Sequence, residues 1–262
     1  MIRFGAFGSI CIDRYQDLGD FPGGGPFNMA VQAAKLGASA SFLGRIGSDP
    51  EGALLRRQAL RKGLDSRFLK QLCGCTAVSE VSLQGKERIF GAYHEGVLAD
   101  WQLTSEELAF LKTQDIVVTD LWGHQEASLR ELRPFVRTAF DAADRPQSGI
   151  AQKALPHCDF FFFSAGSGDL QEELRAYQQV SQGIVTATLG AKGSLAYDGR
   201  HFHSQGALFC EEVRDTMGAG DAFIASFLLR YLQEGEIGSA LAFAAGEVLP
   251  ILSHYGAQEE NA

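Results

Sequence analysis

Four short apolar runs, 115–121, 136–140, 160–163 and 184–189, each stop at polar or glycine-rich residues. The stops are Trp122-Gly123-His124-Gln125, Asp141, Ser164 and Gly190-Ala191-Lys192-Gly193. Strands buried on both faces read as continuous apolar stretches rather than as alternating ones. Helical segments separate the runs, and strands that alternate with helices build a mainly parallel sheet with helices on both faces. The pattern predicts a doubly wound α/β fold whose ligands gather at the carboxyl ends of its strands.

The N-terminal part follows the same plan. Residues 2–12 are short, apolar and punctuated by glycine, which predicts a buried first strand ending at Asp13. A carboxylate at that end either shapes a turn or faces a ligand. Gly23-Gly24-Gly25-Pro26-Phe27-Asn28 then leads into a helix over 29–36, closed by Gly37. Three glycines let a ligand press against bare backbone, and the Asn28 amide offers a donor and an acceptor. A strand is predicted at 40–43. Asp49 and Pro50 suit the cap and first position of a helix that runs to Lys62, so Asp49 is read as structural. From Thr76 the pattern changes to period two and returns through Arg88-Ile89-Phe90-Gly91-Ala92-Tyr93, with Gln84-Gly85-Lys86 as the turn. This hairpin predicts a small sheet standing off the main one, as a lid or a subunit contact. His201 and His203 alternate on a later strand and are read as surface residues.

The most informative stretch is Asp215-Thr216-Met217-Gly218-Ala219-Gly220-Asp221-Ala222-Phe223, where an irregular segment passes into a long apolar helix. First-turn N–H groups lack partners inside a helix and carry partial positive charge, which suits phosphate oxygens. Gly218, Ala219 and Gly220 leave that backbone open to close approach. Asp221 sets a carboxylate beside the anion. An anion cradle with an adjacent base is what phosphoryl transfer to an alcohol requires.

Composition excludes several classes. The chain has 262 residues, 45% hydrophobic, enough for a full core. A net charge of −9 argues against a nucleic-acid partner. Five cysteines without framework spacing suit thiols in a reducing compartment. No signal peptide and no apolar run of membrane-spanning length are evident, so a cytoplasmic protein is expected. The first strand lacks the Gly-x-Gly-x-x-Gly turn of a dinucleotide fold, and no Gly-x-x-x-x-Gly-Lys-Ser/Thr loop occurs.

With these residues in view, the chain resembles the PfkB, or ribokinase-like, carbohydrate kinases over essentially its whole length. Residues 23–30, with Gly37 and Gly47, meet the first family signature, and Asp215 to Asp221 with Ala225 meet the second. Ser226 stands where the second usually has Ala or Gly. The resemblance implies one ribokinase-like domain over 1–262, with a small β-sheet lid from segments near 12–20 and 76–100. It implies ATP-dependent phosphorylation of a sugar hydroxymethyl group, with Asp221 as catalytic base and Gly218, Ala219 and Gly220 as the anion hole. Asp13, Gly24, Gly25 and Asn28 would hold the sugar, and Thr188, Gly190, Gly193 and Gly220 would lie along ATP. Mg2+ would accompany ATP. In potassium-activated relatives the position of Asp215 lines a monovalent-cation site, which makes K+ a further expectation. The family's Asn-x-x-Glu motif is replaced by Ser164-Ala165-Gly166-Ser167, with Asp169 as the nearest acid.

Within the family, Arg88 to Trp101 together with Trp122-Gly123-His124 resembles bacterial fructoselysine 6-kinases, which also lack Asn-x-x-Glu. That resemblance implies O6 of a fructosamine as acceptor. Arg88 could pair with the substrate carboxylate, Glu95 or Asp100 with its amine, and Phe90 is a further expected contact. A fructokinase-like or nucleoside kinase and a non-catalytic sugar or nucleotide sensor are the alternatives. The partners expected are a sugar and ATP, without nucleic acid or membrane. A homodimer through the lid would cover its free edge.

Overall fold

The computed structural model describes residues 1–84, 87–166 and 168–258, with the side chains of Gln84, Glu87 and Arg88 outside that description. The predicted turn at Gly85 and Lys86 therefore lies outside the described residues. In chain order, β1 (Arg3–Phe7) enters a large sheet, β2 (Cys11–Tyr15) and β3 (Gly19–Gly23) leave it, and α1 (Gly25–Lys35) returns to β4 (Ser39–Ile46). Next come α2 (Pro50–Arg61), the short strand β5 (Leu69–Gln71) and the hairpin of β6 (Ala77–Gln84) and β7 (Glu87–His94). Helices and strands then alternate through α3 (Ser105–Leu111), β8 (Ile116–Asp120), α4 (Leu129–Leu132), β9 (Arg137–Asp141), α5 (Gly149–Ala154), β10 (Phe160–Ser164), α6 (Leu170–Ser181) and β11 (Ile184–Thr188). The antiparallel pair β12 (Ser194–Tyr197) and β13 (Phe202–Gln205) precedes α7 (Ala219–Glu234) and α8 (Ile237–Val248).

The large sheet has nine strands in the order β13-β12-β11-β10-β9-β8-β1-β4-β5, and every pairing from β11 to β5 is parallel. The chain winds outward from β1 through β4 to β5, then returns to β8 on the other side and winds outward again. A crevice opens where the winding reverses, at the carboxyl ends of β1 and β8. A second sheet, β3-β2-β6-β7, stands apart from the first.

The first-strand reading needs correction. Residues 2–12 form parts of two strands in two sheets, and Asp13 lies inside β2 rather than at the end of β1. Gly8 makes the break. Its φ is +132°, and a Cβ there would lie 2.9 Å from Thr119 Oγ1, so the backbone turns where only glycine fits.

Phenylalanines join the layers. Within β10, Phe160 and Phe162 meet Phe227 of α7 at ring distances of 6.4 and 5.5 Å. Phe161 and Phe163 meet Tyr177 of α6 on the opposite face at 5.6 and 5.3 Å. Alternate side chains of one strand thus serve two separate cores, which explains why the run is continuously apolar. Thr104 and Glu107 form a reciprocal capping box at the start of α3. Glu107 is fully buried, and Arg45 of β4 reaches it at 2.9 Å while lying 4.4 Å over the Trp101 ring. Burial alone would raise the Glu107 pKa, but the Arg45 guanidinium and the Thr104 N–H more than offset it and hold the group below its ordinary value.

Replacing with Ala both Arg45 and Lys70, whose Nζ also lies 3.2 Å from Glu107 Oε1, strands that carboxylate in the interior. The expected loss is about 3–5 kcal/mol, or a fall in Tm on the order of 10 °C, read by thermal unfolding. A shift below about 2 °C would mean that the pair contributes little.

Candidate active site

Two helix N-termini converge on the crevice. Gly24, with φ +102°, precedes α1, and a Cβ there would lie 2.7 Å from both Ile10 Cα and Ser9 O. Gly24 is therefore needed for close packing of the loop against Ser9 and Ile10. Gly25 faces the crevice, since a Cβ on it would lie 3.3 Å from Asp221 Oδ1 and 3.4 Å from Asp120 Oδ2. Two carboxylates thus address one patch of bare backbone. Gly218 takes φ +76° at the start of α7, where a Cβ would lie 2.6 Å from Ala257 Cβ. Gly220 has open space in front of its α-carbon.

Asp221 is fixed from the other helix. Asn28 Nδ2 donates to Asp221 Oδ2 at 2.8 Å, and Gln258 Nε2 donates to Asn28 Oδ1 at 2.9 Å. The Gln258 bond determines which end of the Asn28 amide faces the carboxylate. The negative side chain also stands in the first turn of α7, where the helix dipole favours it. Of the expected anion hole, Ala219 already donates its N–H to the Thr216 carbonyl at 3.2 Å. Gly220 and Asp221 follow it in the same turn, where helix geometry supplies N–H groups with no intrahelical acceptor.

Further carboxylates complete the crevice. Asp120, at the end of β8, is 2% exposed and accepts hydrogen bonds from Ser9 Oγ at 2.6 Å and Gly123 N at 3.0 Å. Burial pushes its pKa up to about 6 against those bonds. Asp141, at the end of β9, is pushed up to about 8 by burial and then by the charge of Asp221. Asp13 lies in β2 with its carboxylate against Gly23, where a Cβ would lie 2.1 Å from Oδ2. The Cys11 thiol donates to Asp13 Oδ1 at 3.6 Å. Burial pushes that thiol well up, and the charges of Asp13, Asp120 and Asp221 push it further.

The remaining expected residues are dispersed. Thr188 ends β11, with its hydroxyl 3.2 Å from Ser164 Oγ. Gly190 opens the next turn at φ +56° with space before it, whereas at Gly193 a Cβ would lie 2.0 Å from Gln205 O. Gly193 is thus required by the turn itself. Asp169 caps α6 by accepting from Glu172 N at 3.1 Å. Asp215 is fully buried and accepts from the Tyr15 hydroxyl, Met217 N at 2.9 Å and Gly256 N at 3.0 Å. Among the described residues no group of three or more His, Cys, Asp or Glu side chains is placed to hold a metal ion. The side chain of Arg88 lies outside the described residues. Phe90 is 58% exposed on β7. Asp120, Asp141 and Gln258 were not singled out from the sequence. The first two stand at strand ends, which was the available signal, and nothing local marks Gln258.

The decisive match is to the family model for pfkB family carbohydrate kinases, over residues 11–259. The chain belongs to this family. It is 36% identical to the fructoselysine 6-kinase of Escherichia coli K12, over 98% of this chain and 100% of that one. The fructosamine kinase FrlD of Bacillus subtilis 168 is 28% identical, over 96% and 91% of the two chains. The Arabidopsis thaliana ribokinase complexed with ribose and ATP shares the fold at a TM-score of 0.85 and 20% identity, covering 98% of this chain and 95% of that one. The protein is accordingly an ATP-dependent carbohydrate kinase with a ribokinase-like fold. Among the described residues no helix is long and apolar enough to cross a membrane.

The Asp141 carboxyl gives a pH test. Because its folded pKa is raised to about 8, the native state holds a proton that the unfolded chain releases near the ordinary value. Its contribution is fully present at low pH and is lost as pH rises through about 8. Asp141→Asn should therefore melt on the order of 5 °C above the wild type at pH 9, with the gap narrowing toward pH 5. A gap independent of pH would remove the Asp141 assignment.

Proposed function

We propose that the kinase phosphorylates O6 of a fructosamine such as fructoselysine, with ATP as donor. One observation carries the reading: the Asp221 carboxylate is held by Asn28 across the crevice, in front of Gly25 and at the N-terminus of α7. One of its oxygens accepts from Asn28, and the other is turned to the Gly25 side, where a primary hydroxyl can donate to it. Asp221 takes that proton as the oxygen attacks the terminal phosphorus of ATP in line. The N–H groups of the first turn of α7 face the charge on the moving phosphoryl group. Asp13 and Asp120 accept from hydroxyls elsewhere on the sugar and orient it.

ATP reaches this point from the β11 side, where Thr188 and the open backbone at Gly190 mark its path, and Gly220 meets its terminal phosphate. Magnesium bound with the nucleotide neutralises adjacent phosphates and uses few protein carboxylates, commonly one or two. Asp141 would be the residue to hold it, since burial and then the charge of Asp221 disfavour its ionised form, which a nearby cation would offset. A K+ ion would sit beside the buried Asp215 carboxylate, whose negative charge suits a monovalent cation. The small sheet acts as a lid, and a second copy of the chain covering β7, where Ile89 is 45% exposed, belongs to the same reading.

The choice of a fructosamine rests on the fructoselysine 6-kinase and fructosamine kinase relatives, which this chain matches over nearly their full lengths. A panel of fructoselysine, fructose, ribose and nucleosides with ATP tests it. Turnover of fructose without fructoselysine would favour the fructokinase reading. Asp221→Asn should lower kcat by at least about 10²–10⁴-fold while sugar binding, read by calorimetry, is nearly preserved. An unchanged kcat would reject Asp221 as the base.

A further inference from the structure

We propose that Tyr93 is a substrate-positioning residue, whose hydroxyl donates a hydrogen bond to a hydroxyl oxygen of the bound ketosamine. The inference rests on the sugar-kinase reading and adds a residue to it.

Strand register places Tyr93 beside the sugar carboxylates. Asp13 of β2 pairs with Ser79 of β6, and Ser79 pairs with Tyr93 of β7, so the three form one row across the small sheet. Paired residues in a sheet share a face. The neighbouring row is Tyr15, Val81 and Phe90. Two residues of β6 separate the rows but three of β7 do, so β7 carries a bulge. The extra residue restores Phe90 and Tyr93 to one face, which strict alternation would deny them. That face is the one Asp13 presents to the crevice.

The Tyr93 hydroxyl is buried and has no hydrogen-bond partner among the described residues. Its ring meets Trp122, next after β8 but one, edge-on at 5.5 Å. Native structures rarely leave such a group unsatisfied, and an exception calls for an explanation. Its surroundings supply one. Burial first, then the charges of Cys11, Asp120, Glu95 and Asp13, hold the phenol in its protonated form, as a donor. Asp13 and Asp120 are acceptors. A sugar hydroxyl that donates to either keeps lone pairs of its own, and those need a donor. Tyr93 provides it from the small sheet, while the acceptor Asp120 belongs to the large one. A bound polyol therefore joins the two sheets.

The test is Tyr93→Phe, which removes one oxygen and keeps the ring. The expected result is a rise in KM for fructoselysine of about five- to tenfold, with KM for ATP unchanged. The unliganded variant should melt no lower than the wild type, because the lost oxygen had no partner, and sugar should raise its Tm less. A parallel series of substrates lacking single hydroxyls should contain one for which wild type and variant are equal. An unchanged KM for the sugar overturns the proposal. So does a rise in both KM values with a fall in Tm, which marks a structural role, or a deoxy series in which the difference never disappears. A wild type that phosphorylates none of the ketosamines overturns the functional reading and this inference together, whereas an active wild type matched by Tyr93→Phe overturns this inference alone.

Discussion

The hydrogen bond between Asn28 and Asp221 joins side chains 193 residues apart in sequence and holds two helix starts face to face. Everything reactive in the crevice is measured from it. It aims the Asp221 carboxylate, and it brings the glycine backbone before α1 opposite the glycine backbone before α7. Each helix contributes what its first turn has in surplus: exposed N–H groups and a favourable field for anions. The long apolar body of α7, packed through Phe227 on Phe160 and Phe162, keeps that turn from shifting. Precision at the site is thus inherited from the core beneath it.

Gathering Asp13, Asp120, Asp141 and Asp221 around one crevice is electrostatically costly. Burial raises both Asp120 and Asp141, and for Asp141 the charges of Asp221 and Asp120 add to it. Without ligands the molecule partly relieves it through the Ser9 hydroxyl, the Gly123 and Ala143 N–H groups and the Asn28 amide. On the proposed reading, sugar hydroxyls and a metal-bound nucleotide would supply what these cannot: further donors and compensating positive charge. An acidic crevice of this kind favours neutral, hydroxyl-rich acceptors and admits phosphate only where the helix dipole and a cation outweigh the carboxylates.

Much of this was legible in the chain. Glycines at 25 and 220 mark backbone open to the crevice at two helix starts, and Asn28 and Asp221 meet just beyond them. The alternation of apolar runs with helical segments gave the parallel sheet because burial on both faces leaves no other residues to choose. The break at Gly8 was not legible, since an apolar segment reads alike whether it continues in one sheet or crosses to another. Asp120 was hidden because the apolar run reads on to residue 121, which puts it inside the strand, whereas the strand ends at Asp120 itself. Gln258 owes its place to a contact made across the fold and is not marked by its neighbours in sequence, whereas Tyr93 lies in a segment that was singled out without a role for its hydroxyl.

The bulge in β7 has a consequence for how such a pocket can change. In an unbroken strand, the side chains that face inward are dictated by the pairing, and altering them in place is the sole freedom. An extra residue uncouples the two, because the ladder of backbone bonds resumes on either side while the intervening side chains are redistributed. Sliding that irregularity along the strand would present a different set of aromatic rings to the acceptor with no loss of sheet. On the proposed role of Tyr93, one surplus amino acid would then tune selectivity separately from the chemistry on the opposite wall.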